Sequence, residues 1–185
     1  MNVKLISTEE LIDDEEVTVW RLDKGNGRVI ININKSLNNK RDSITECEWL
    51  DEGHRFIQVN YSDWDSRELI AIMNVQGEII RKGILSVEEV LDKPQLFIVQ
   101  MSGAAMDSEA AVFEFGLAAD DWKMAVLDEY GEFIIEPSYD AIWLEKDETF
   151  FCATGRNGDE YRFSLDGERA PNLLGRRGLT HRAPH

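Results

Sequence analysis

The sequence predicts an all-β domain, with one or two short helices, built from repeated antiparallel hairpins. Three observations carry this. Short runs rich in β-branched and aromatic residues recur along the 185 residues. Turn residues separate the runs, and no long stretch holds a clean helical period. Part of the chain also repeats itself at a fixed spacing.

The strand runs are VTVWRL, RVIINI, RFIQVNY, ELIAIM, LFIVQM, AVFEF, KMAVL, EFII, TFFCAT and YRFSL. STEELIDDEE at 7–16 predicts a short helix, capped by Ser7 or Thr8 with acids in its first turn. LSVEEVLDKP at 85–94 predicts a second, ended by Pro94.

The repeat is clearest between AIMNVQGEII at 71–80 and AVLDEYGEFI at 125–134, an offset of 54. Ala71, Asn74, Gly77 and Glu78 fall on Ala125, Asp128, Gly131 and Glu132. The same offset carries Leu96-Phe97-Ile98 onto Phe150-Phe151-Cys152. Fainter copies place Gly27 and Gly167 on the same glycine position. Three to four units of about 35 to 55 residues follow. In each, glycine supplies the positive φ of a tight reversal, and Asp or Asn three residues earlier bonds the turn's N–H groups. Pro137, after the second strand, is expected to stop pairing, since it has no N–H to donate.

This unit resembles the WG-type beta repeat of bacterial proteins. Asp128, Gly131, Ile134, Ile135, Pro137, Tyr139 and Asp140 fall at matching positions, and Asn74, Gly77, Ile79 and Ile80 match in the preceding copy. The Trp-Gly pair of that pattern is absent: Met124-Ala125 and Ile70-Ala71 stand in its place. The resemblance implies a twisted sheet, a solenoid-like stack or an open barrel of hairpins. It implies no catalytic residues. Residues 1–170 are read as one β-repeat domain and 171–185 as a basic, flexible tail.

Composition narrows the function. Hydrophobic residues make up 43%, enough for a sizeable core. With 36 acidic against 20 basic residues, the formal charge is −16. The tail holds three arginines and no acid, so the rest carries −16 − 3 = −19. Such a surface repels nucleic-acid phosphates and anionic membranes and attracts a basic protein. The plainer reading is that acidity maintains solubility. The first sixteen residues hold no apolar run of signal-peptide length, so a cytoplasmic location is expected. Cys47 and Cys152 form no metal-binding pattern and read as two partly buried reduced thiols, a single disulfide being the alternative.

No residue pattern specifies chemistry. His54 follows a turn glycine and lacks neighbouring metal ligands. LDKGNG at 22–27 lacks the Gly-Lys-Ser/Thr of a phosphate loop and reads as a hairpin turn. No G-x-S-x-G occurs. Acidic pairs such as Asp63/Asp65 and Asp120/Asp121 read as solvated loops in so acidic a chain. The five tryptophans read as core or inter-repeat packing. Trp64, between two aspartates, is the best exposed candidate. Asp63, Trp64, Asp65, Asp120 and Asp121 are therefore the candidate partner-binding residues. No metal or cofactor is expected. The expected function is non-enzymatic binding of a basic protein, as an immunity protein binds a bacterial toxin. The alternatives are a carbohydrate-active or cell-wall enzyme using a carboxylate pair, and a purely structural repeat.

Overall fold

The structure is a computed structural model that describes residues 3–12, 14–25, 30–37, 43–63, 66–92, 95–103, 122–145 and 149–171. These described residues form three antiparallel sheets, none closed into a barrel. The first joins β1 (Lys4–Ile12), β2 (Glu15–Asp23) and β3 (Ile30–Asn32). A one-turn helix, α1 (Ile33–Ser36), follows. Asn32 caps it by accepting from the Lys35 N–H at 3.1 Å, and Ile33 and Leu37 are buried beneath it.

The second sheet has seven strands: β4 (Ser43–Trp49), β5 (Phe56–Ser62), β6 (Glu68–Asn74), β7 (Ile79–Asp92), β8 (Gln95–Ser102), β9 (Trp122–Asp128) and β10 (Phe133–Tyr139). It is not flat. Phe56 of β5 and Phe97 of β8 meet edge to face at 5.1 Å. Two strands lie between them, which would separate them by roughly 14 Å in a flat sheet. The sheet folds over along β7, where Gly83 takes a φ of 77° and the register slips at both neighbouring pairings. The third sheet joins β11 (Ala141–Leu144), β12 (Phe150–Thr154) and β13 (Glu160–Ser164).

The result is a stack of strand tiers with three cores between them. Side chains alternate between adjacent cores along one strand, as the pleat requires. In β6, Leu69, Ala71 and Met73 enter the first core, while Ile72 enters the second. In β8, Phe97, Val99 and Met101 enter the second, while Leu96 and Ile98 enter the third. The 54-residue repeat is a step of one tier. Ala71 and Met73 lie in the first core, and Ala125 and Leu127 in the second. Phe97 and Val99 lie in the second core, and Phe151 and Ala153 in the third.

The hairpins share one turn. Asn74, Asp128 and Ser164 each donate a backbone N–H to the carbonyl four residues on and accept the N–H three residues on. Gly77, Gly131 and Gly167 occupy that third position with φ of 87°, 81° and 83°. This is a three-residue loop closed by a left-handed residue. Each glycine also seats its hairpin on the tier before it. A Cβ on Gly77 would meet the Ile31 side chain at 2.6 Å, one on Gly131 the Ile80 carbonyl at 2.5 Å, and one on Gly167 the Ile134 carbonyl.

Several expectations are corrected. Residues 7–12 and 15–16 are strand, because β1 pairs with β2 along its whole length from Lys4↔Asp23 to Ile12↔Glu15. That ladder overrides the local capping signal. Residues 85–92 are also strand. Slips between Ile84 and Ser86 and between Val87 and Glu89 space the inward residues Ile84, Val87 and Val90 by three, which mimics a helical period. Pro137 does not end a strand or form a turn. It sits buried inside edge strand β10, where the register slips between Ile135 and Tyr139. The tryptophans are less buried than expected: Trp20 and Trp49 pack partly against the first core, while Trp122 and Trp143 are 46% and 43% exposed. AVFEF at 111–115, Gly27, Pro94 and most of the tail lie outside the described residues.

Candidate partner-binding groove

Of the five candidate residues, Trp64, Asp65, Asp120 and Asp121 lie outside the described residues. Asp63 is described, and its carboxylate is engaged locally. Oδ1 accepts from the Arg67 N–H at 2.9 Å, and Oδ2 takes Arg67 Nε at 2.7 Å and Nη2 at 2.6 Å. Asp51 repeats this arrangement more deeply. Its Oδ1 accepts from the N–H groups of Arg55 (2.8 Å) and Phe56 (2.9 Å), and its Oδ2 accepts from Arg55 Nε at 3.0 Å. Both acids hold turns. His54, exposed in the Asp51 turn, takes a φ of 51° and stacks on Trp49 with centroids 4.6 Å apart.

The structure brings other residues together. A groove of about 550 Å³ opens where the 128–132 turn, the 164–168 turn and the start of β8 meet. That volume lies within the range of ligand-binding clefts. Leu96, Ile134 and Leu165 supply its apolar lining. Asp128, Glu129 and Asp166 bring carboxylates, and Tyr130, Gln95 and Thr149 complete it. The repeat builds the rim, since the turns converge because Gly167 seats its hairpin on Ile134.

The charged residues that line the groove are all acidic, with Arg55 behind Gln95. Asp128 Oδ1 accepts from the N–H groups of Tyr130 and Glu132, both at 2.9 Å. Asp166 accepts from the Ser164 hydroxyl, and that bond, with backbone N–H groups, holds its carboxyl below the usual carboxylate range. Neither these two nor Glu129 has a salt bridge among the described residues. Some acids elsewhere are paired, Glu10 with Arg21, Glu145 with Arg162 and Asp140 with Lys123, while others such as Glu46, Glu68 and Glu136 have no salt bridge among the described residues.

Two further groups stand out. Tyr130 is 73% exposed. Three half-buried rings carry a cation, Arg81 lying 4.2 Å from the Phe133 centroid, Arg162 3.7 Å from Phe150 and Arg169 4.5 Å from Tyr161, while the exposed Trp122 and Trp143 carry none among the described residues. Tyr130 carries none among the described residues. Gln95 is only 7% exposed, and its Oε1 accepts from Arg55 Nη2 while its Nε2 has no hydrogen-bond partner. A buried amide donor without an acceptor is costly and uncommon.

Sequence reasoning placed Asp128 in a turn and passed over Glu129, Tyr130, Asp166 and Gln95. Tyr130 gave one signal, an aromatic ring at a turn position flanked by acids. Gln95 gave none.

Compared with family models, with curated proteins and with solved structures, the chain has no significant match. Among the described residues no three His, Cys, Asp or Glu side chains group as metal ligands, and no helix is long and apolar enough to cross a membrane.

Proposed function

We propose that this chain is a non-enzymatic protein-binding module whose partner is a basic protein. One observation carries the reading: three carboxylates without cations of their own gather on an apolar groove, in a chain of net charge −16. Complementary charge steers a basic partner to that surface, and the apolar lining holds it at short range. In its sharpest form the module is a cytoplasmic neutralising protein, acting as an immunity protein acts on a toxin. Its acids then compete for a basic surface that otherwise receives phosphates.

The test is affinity capture from the native host at low and at high salt. A single basic protein, retained at low salt and released as salt rises, supports the proposal once the purified pair binds with the same salt dependence. No retained protein at low salt with saturating bait overturns it.

A further inference from the structure

We infer that the groove receives an arginine side chain presented by an extended segment of the partner. This rests on the reading of the chain as a binder of basic proteins, and it names what the groove recognises. Four features fit one occupant. Leu96, Ile134 and Leu165 offer an apolar track for an aliphatic stem. Glu129 and Asp166, from two different turns, supply acceptors for a guanidinium fork. Tyr130 offers the uncovered ring face on which such a plane stacks, as Arg81, Arg162 and Arg169 do on other rings of this molecule. Gln95 lines the groove with a buried Nε2 that lacks an acceptor, and a swing of this side chain toward the groove lets it donate to the backbone carbonyl of an extended segment. A lone cation leaves that donor unmatched, whereas a peptide carries both groups.

The experiment is an NMR titration of the full chain with three capped pentapeptides, Gly-Gly-X-Gly-Gly, where X is arginine, lysine or the neutral isostere citrulline. Saturable shifts at the Gln95 side-chain amide, Tyr130 and Leu165 with arginine, and none with citrulline, are expected. The double variant Glu129→Gln/Asp166→Asn changes two exposed side chains and is expected to weaken the arginine peptide about tenfold, two charge-assisted contacts being lost. Tyr130→Ala, at an exposed turn position, is expected to weaken it as well. Equal response to lysine or citrulline overturns the inference, as does an absence of shifts at about 10 mM peptide, beyond millimolar affinity. The two proposals fail separately. If a basic partner is captured but binds the double variant as tightly, the groove assignment falls and the binding function stands. If arginine saturates the groove but no basic partner exists, the reverse holds.

Discussion

At the scale of single residues, the turn glycines show how local geometry and packing combine. Gly131 has a φ of 81°, and its Cα hydrogens face the Ile80 carbonyl. Gly158 has a similar φ of 77° but nothing within 4 Å of a built Cβ. Gly158→Ala is therefore expected to cost about 1 kcal/mol, the left-handed strain alone. Gly131→Ala is expected to cost about 3 kcal/mol, because a backbone carbonyl must also move. Urea unfolding of the two variants checks the difference. The thiols make a second case. Burial, with a smaller contribution from Glu46, pushes Cys47 up from 9.0 to about 12. Burial and the 3.3 Å hydrogen bond to Glu145 push Cys152 up to about 11. Both are expected to react with iodoacetamide far more slowly in native than in denatured protein at neutral pH. The linkage has a definite sign. A pKa raised by folding leaves stability intact below about 9 and removes it as pH climbs towards 12. Cys47→Ala is expected to flatten that alkaline slope in pH-dependent unfolding.

At the scale of elements, each turn acid is a tie between backbone and side chain. Removing Asp51, whose carboxylate is fully buried, orphans two backbone N–H groups and takes away the acceptor of Arg55 Nε. Asp51→Ala is expected to cost about 3 kcal/mol, and Asp63→Ala, at a shallower site, about 2 kcal/mol, read from the denaturation midpoint. Partner affinity is expected to survive Asp63→Ala. The turns were legible from sequence because their chemistry is local: Asn or Asp, then Gly three residues on. So were the central strands β6, β8 and β9, whose two buried faces give continuous apolar runs, and β5, which alternates apolar and polar residues. What escaped were the elements defined by pairing. β1 has mostly exposed side chains and reads as a charged helix until β2 is laid beside it. β4 carries outward Glu46 and Glu48 and a register slip, which breaks its alternation. β7 hides its strand period behind two bulges. The groove was illegible for the same reason, since the β8–β9 ladder brings Gln95 beside the Tyr130 turn and the seating of Gly167 on Ile134 brings Asp166 to both.

At the scale of the whole molecule, a stack of repeats must close its ends. The last tier does so with charge. Phe150 and Cys152 stand where Leu96 and Ile98 stand one tier earlier, but no tier among the described residues covers them. Arg162 lies over the Phe150 ring instead, and Glu145 accepts from both Arg162 Nη2, at 2.6 Å, and the Cys152 thiol. Arg162→Ala is expected to uncover that end and raise self-association, visible by sedimentation at rising concentration. The interior tiers depend on one another, so Phe97→Ala and Phe151→Ala, both at fully buried positions, are each expected to cost about 4 kcal/mol. The groove is where unpaired carboxylates meet an apolar lining, and the binding function rests on what that surface meets. The most direct measurement is the dissociation constant of the captured partner across a range of salt. A basic protein is expected, its affinity falling steadily as salt rises and falling again with Glu129→Gln/Asp166→Asn. A partner indifferent to salt, or the absence of any partner at low salt, would contradict it.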